Sequence, residues 1–205
     1  SGDFGNFWKQ IVFAGAGFLM IPLIATANYR LLANVAKPLY VIGAALLLAV
    51  LIFGKTVRGT TGWFGIGGFG IQPVELVKFF LIIYLAKFFA DYARDSESLA
   101  SIVRSGTAVG ALFLLVILQP DFGSAALLLA VWGALLLTAG VKRVHLLAMA
   151  LLCVAVVAVG WLFLLKPYQK ERVDVFLDPS RDPRGRGFNV TQSLIAIGSG
   201  GLMGK

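Results

Sequence analysis

The chain has 205 residues, a net charge of +8 and 14% charged residues, against about 25% in a soluble domain, and its mean hydropathy is +0.87. These values exclude a soluble globular domain and predict an integral membrane protein. The basic residues are spread over loops with no aromatic-interleaved basic patch, which excludes a nucleic-acid surface, and a lone Cys153 in an apolar run excludes a disulfide framework or a cysteine metal cluster.

In chain order, six apolar segments each approach the roughly 20 residues needed to cross a bilayer core. They fall at about 7–27, 38–54, 72–90, 102–119, 123–140 and 144–165. The expected fold class is therefore all-α, a polytopic transmembrane helix bundle. The segment 166–205 follows as a long hydrophilic loop. The chain opens on Ser1-Gly2-Asp3, without a basic leader, and closes on Gly204-Lys205 inside a Gly-rich polar run. It reads as a fragment of a single membrane domain, cut at both ends.

Loop charge sets the orientation. Arg30, Lys37, Lys87, Arg94, Arg104, Lys142 and Arg143 follow the first, third and fifth spans, whereas Lys9, Lys55 and Arg58 occupy the opposite segments. Cytoplasmic loops carry the excess of Lys and Arg. The loop 55–71, the turn at Asp121 and the tail 166–205 are thus expected on the extracytoplasmic face of a bacterial inner membrane. His145, beside Lys142 and Arg143, reads as an interfacial residue on the other side.

Between the second and third spans, 55–71 is a Gly-rich, aromatic loop. Trp63, Phe64 and Phe69 suit a headgroup-level aromatic belt or the walls of a substrate groove. Arg58 suits a phosphate. The third span opens with Gln72-Pro73-Val74-Glu75 and places Lys78 three residues after Glu75. Positions i and i+3 share a helix face, and charge inside hydrocarbon costs at least about 2.5–3.5 kcal/mol per group on insertion scales. The expectation is a buried, mutually neutralising pair at an internal polar site. A blander reading keeps Glu75 in the first turn, favoured by the helix dipole, while Lys78 snorkels outward.

Gln119-Pro120-Asp121-Phe122-Gly123 is a tight polar turn between the fourth and fifth spans. Asp121 is a candidate ligand for a cation or an orienting group, although an Asp after Pro is also ordinary turn chemistry. In the tail, Arg172, Arg184 and Arg186 would suit a pyrophosphate. The stretch 191–197, with Gln192 and Ser193, is expected to form a short amphipathic or re-entrant helix that ends at the glycine run beginning with Gly198.

Taken in order, Gly62-Trp63, Gln72-Pro73-Val74-Glu75 with Lys78, Gln119-Pro120-Asp121-Phe122-Gly123, Tyr168-Gln169 with Arg172 and Asp178-Pro179, Gln192-Ser193, and Gly198-Ser199-Gly200-Gly201 with Gly204-Lys205 carry a resemblance. The chain resembles the SEDS family (shape, elongation, division and sporulation), of RodA and FtsW type. The resemblance implies a ten-helix fold, of which the six spans are the second to seventh. It implies a peptidoglycan glycosyltransferase that polymerises lipid II on the outer face of the cytoplasmic membrane. The implied partner is a class B penicillin-binding protein, and a divalent cation, magnesium or manganese, is a candidate cofactor.

On this reading Glu75, Lys78 and Asp121 support catalysis, while Arg58, Trp63, Gln72, Arg172, Gln192, Ser193 and Lys205 contact substrate. Two positions depart from the family pattern, Gly62 in place of Arg and Val74 in place of Ser. The Asp regarded as catalytic in the family lies further along the external loop, past Lys205, so the 205 residues alone are expected to be inactive. Two rival functions fit the same features, a flippase for the lipid-linked precursor and a noncatalytic scaffold for a transpeptidase.

Overall fold

A computed structural model describes residues 5–26, 28–57, 60–66, 69–92, 98–159, 161–162, 170, 174–175, 177–178 and 186–200. The described elements are α1 (Gly5–Ala25), α2 (Tyr29–Phe53), β1 (Lys55–Val57), β2 (Thr60–Ile66), β3 (Phe69–Ile71), α3 (Pro73–Asp91), α4 (Leu99–Ile117), α5 (Phe122–Thr138), α6 (Arg143–Val159) and α7 (Arg186–Gly200). They fall into two compact units, Ser1–Leu146 and Leu147–Lys205.

Helix ends follow local chemistry. The Asn28 side chain accepts from Arg30 N at 3.0 Å, and Ser98 Oγ accepts from Ser101 N at 3.2 Å. Each satisfies one of the backbone donors that a helix start leaves unpaired. Pro73 opens α3, where a missing N–H costs nothing. The second span was expected to begin at Pro38. Instead α2 starts at Tyr29 and runs through Pro38, because membrane helices tolerate proline where neighbouring groups satisfy the freed carbonyl.

Within the first unit α2 packs on α3 and α4, α4 on α5, and α3 on α5. On α3 the buried residues Val74, Val77, Leu81, Leu85 and Phe89 recur at helical spacing and make one inward face. Phe79 and Ile82 point outward, exposed by 63% and 39%, which suits a surface whose solvent is lipid. Small residues set the helix spacing. A Cβ on Gly43 would stand 3.3 Å from both Val77 and Phe80, and one on Gly106 would stand 3.0 Å from Trp132. α1 is exposed along its described length.

Three helices, over Phe7–Ala25, Arg30–Phe53 and Leu99–Ile117, are long and apolar enough to cross a membrane. α5 and the Arg143–Ala155 part of α6 are shorter apolar helices. α3 has 19 residues and carries Glu75, Lys78, Lys87 and Asp91. The all-α polytopic bundle is the observed architecture, with one addition. The segment expected as a loop at 55–71 contains a three-stranded antiparallel sheet in the order β1-β2-β3. In the second unit α7 is longer than the expected 191–197 and continues past Gly198 to Gly200.

Candidate functional site at the sheet end of the bundle

The site is assembled from the sheet and the N-termini of α3 and α5. In the sheet Lys55 pairs with Trp63, Thr56 with Thr61, and Gly65 with Gly70. The hydroxyls of Thr56 and Thr61 meet across the strands at 2.9 Å. Trp63 lies over Gly70, where a Cβ would come within 2.9 Å of the indole. Glycine is required there because the ring occupies the side-chain space.

Gln119 fastens this sheet to the bundle. Its carbonyl accepts from Thr61 N at 3.2 Å, and its side-chain Nε2 donates to the Leu47 carbonyl of α2 at 3.2 Å. The residue is 1% exposed. A buried amide is stable only when its polar atoms are paired, and this one bridges β2 and α2 from the turn after α4.

Asp121 follows in the same turn and caps α5. Its Oδ1 accepts from Ser124 N at 3.0 Å, and its Oδ2 accepts from Ser124 Oγ at 2.7 Å and from Gln72 Nε2 at 2.8 Å. Gln72 is itself the N-cap residue of α3, yet its side chain makes no bond to its own helix. Its amide instead crosses to the cap of α5. The Asp121 carboxylate thereby stands between two helix N-termini, both of which favour negative charge.

Thr60, Trp63, Gln72, Asp121, Gly123, Ser124 and Leu127 line an open pocket of about 540 Å³. It offers one aromatic ring, one carboxylate, one amide, two hydroxyls and an aliphatic wall. That set suits a polyhydroxylated ligand with an apolar attachment, since aromatic rings and a few placed polar groups are the usual makings of a small-molecule site.

Of the residues singled out from sequence, Trp63, Gln72 and Asp121 come together here. Glu75 and Lys78 do form an ion pair at 2.8 Å, but the Glu75 side chain is 57% exposed and that of Lys78 19%. The expected buried pair is corrected on this point. Glu75 sits in the first turn of α3, and neither residue is among those that line the pocket. Arg58, Arg172 and Lys205 lie outside the described residues, and so does Arg184. Gln192 and Ser193 lie on α7 of the second unit.

Gln119 and Gly123 stood in the turn motif without a role of their own, and Thr60, Ser124 and Leu127 were not given a site role by the sequence reading. Ser124 carried a legible signal, since an Asp followed three residues later by a backbone donor at a helix start is an N-cap pattern. Gln119 was visible as the first residue of the turn motif, but nothing local pointed to its bonds with Leu47 and Thr61. Among the described residues no group of three or more His, Cys, Asp or Glu side chains is placed to hold a metal ion. Asp121 accepts three hydrogen bonds, from Gln72 Nε2, Ser124 N and Ser124 Oγ.

The profile of a family described as cell cycle protein, covering FtsW, RodA and SpoVE, matches residues 1–205. The chain belongs to this family. It is 35% identical over 192 residues to a probable peptidoglycan glycosyltransferase FtsW of Tolumonas auensis, covering 93% of this chain and 48% of that protein. It is 35% identical over 207 residues to the peptidoglycan glycosyltransferase MrdB of Escherichia coli, covering 99% and 55%. A chain in a solved structure on the structural coordination of polymerization and crosslinking by a peptidoglycan synthase complex is 37% identical. It superposes with a TM-score of 0.75 over 98% of this chain and 59% of that one.

The chain thus spans about half the length of the curated relatives it matches. Family membership and the apolar helices make it a multi-pass membrane protein. The two departures from the family pattern have a local setting. Val74 is 1% exposed and packs in the core face of α3. Gly62 is buried, and a Cβ there would stand 3.2 Å from Gln119 Oε1 and 3.6 Å from Gln72 Nε2.

Proposed function

We propose that the full-length protein is a peptidoglycan glycosyltransferase that polymerises lipid II at the outer face of the bacterial cytoplasmic membrane, in cell elongation or division. Its partner is a class B penicillin-binding protein that cross-links the product. The reading is supported by the names of the relatives and, within this chain, by one observation. Trp63, Gln72, Asp121 and Ser124 converge on a pocket at the sheet end of the bundle, the end assigned outward by loop charge.

The acceptor hydroxyl attacks the anomeric carbon of the donor sugar. Its proton passes to a carboxylate acting as general base, and the bond to polyprenyl pyrophosphate breaks. The base comes from a part of the protein outside these 205 residues. Here Trp63 offers a ring face to a sugar, Asp121 accepts from a sugar hydroxyl, and Leu127 continues the pocket toward the apolar attachment.

The test is polymer formation from purified lipid II by full-length protein in detergent, resolved by gel. Wild type is expected to yield polymer, which a flippase has no means to make. Asp121→Ala and Glu75→Ala are each expected to abolish it. Unchanged yield from both would overturn the assignment of these residues, and no polymer from wild type would overturn the activity.

A further inference from the structure

We infer that Gln72 is a positioning residue for Asp121, pinning Oδ2 so that the open acceptor position of Oδ1 is presented to the pocket beside Gly123. The inference rests on the glycosyltransferase reading for its activity assay, and on geometry alone for its structural arm. A carboxylate has about four acceptor positions. Three are taken here, two on Oδ2 by Gln72 and Ser124 Oγ, and one on Oδ1 by Ser124 N. The remaining position is on Oδ1. On that side the pocket wall is Gly123, whose absent Cβ would lie 3.8 Å from Oδ1, so a ligand hydroxyl can approach.

Ser124 holds both oxygens from within α5, and among the described residues Gln72 alone reaches Asp121 from another helix. The bond crosses 49 residues of sequence and joins the starts of α3 and α5. Turning the carboxylate plane about its Cβ–Cγ bond would break the 2.8 Å bond from Gln72 Nε2, so the amide helps to fix that plane.

The test compares Gln72→Leu and Gln72→Glu in the full-length protein, by lipid II polymerisation and by thermal melting, at about pH 5.5 and about pH 8. Two carboxyls within hydrogen-bond distance cannot both ionise and share a proton instead. The other charged groups near the start of α3 among the described residues are Glu75 and Lys78, which bind each other, and Lys55 on β1. Gln72→Leu is expected to lower kcat about tenfold to a hundredfold, the loss for a hydrogen bond to a charged group, with the same ratio to wild type at both pH values.

Gln72→Glu is expected to be as impaired as Gln72→Leu near pH 8 and to recover most of the loss near pH 5.5, where the introduced carboxyl is protonated and donates to Oδ2. The sign follows from linkage. A carboxyl whose proton is retained by folding stabilises the fold in acid and loses that contribution as pH rises, so the melting midpoint of Gln72→Glu relative to wild type recovers in the same direction. Full activity in Gln72→Leu, or a Gln72→Glu defect that is flat with pH, would overturn the inference. If wild type makes no polymer the activity reading fails, and the melting comparison still decides whether the two side chains are coupled.

Discussion

Gly62 shows how a single side chain constrains the pocket. It is buried, with two amides at the edge of its missing Cβ, and the nearer, Gln119, is anchored to the Leu47 carbonyl. Adding even a methyl group to a closely packed site typically costs about 1–3 kcal/mol. Gly62→Ala is expected to lower the thermal midpoint of the full-length protein by several degrees. Gly110→Ala, where the added Cβ meets nothing within 4 Å, is expected to leave it level or raise it, since Ala favours helix over Gly by about 1 kcal/mol. Equal midpoints for the two variants would show that Gln119 yields easily and is not the fastener described above. The Glu75–Lys78 pair, with one partner more than half exposed, carries little stability, so loss of polymer in Glu75→Ala would report on function rather than on folding.

Among the elements, α4 and α5 depend on one aromatic inserted beside one glycine. Trp132 Nε1 donates to Ser105 Oγ at 3.0 Å, and its ring lies where a Gly106 side chain would be. Ser105 Oγ in turn donates to the Ile102 carbonyl at 3.0 Å. In a bilayer, helix association relies on such close packing because lipid is as apolar as the side chains it would replace. Gly106→Val is expected to separate α4 from α5 and lower the melting midpoint far more than Gly133→Ala, a helical glycine with open space around it. The comparison is read from paired melts in the same detergent. The strands behave differently. β2 is held at one edge by β1, at the other by β3 and from below by Thr61 N on the Gln119 carbonyl, so displacing α4 would also displace the Trp63 wall of the pocket.

For the molecule as a whole, sidedness is the property that decides function, because a polymerase of an exported precursor must have its pocket outside. In full-length protein with its native cysteines replaced, Cys153 among them, a single cysteine introduced at Gly65 of β2 is expected to react with a membrane-impermeant maleimide in intact cells. A cysteine at Arg143, at the start of α6, is expected to react only after permeabilisation. Both positions are exposed, so access rather than burial sets the outcome. The reverse pattern would place the pocket in the cytoplasm and remove the polymerase reading together with the loop-charge assignment.

The sequence by itself determined the bundle. Apolar runs near span length predict helices without reference to anything distant, because hydrocarbon admits no unpaired backbone and only a helix satisfies its own. It also placed Trp63, Gln72 and Asp121 among its candidates, through motifs whose order was more specific than any one of them. Tertiary structure alone decided the rest. The Gly-rich segment 55–71 gave no alternating apolar pattern, and its strands form because each finds a partner edge and because the Gln119 carbonyl receives Thr61 N. Glu75 looked buried because its neighbours in sequence are apolar, but which face of α3 is covered depends on where α2 and α5 pack. The bond from Gln72 to Asp121 spans 49 residues and that from Gln119 to Leu47 spans 72. Hydrogen bonds at such separations are set by how helices dock, and docking depends on the packed surfaces of several elements at once rather than on any local run of residues.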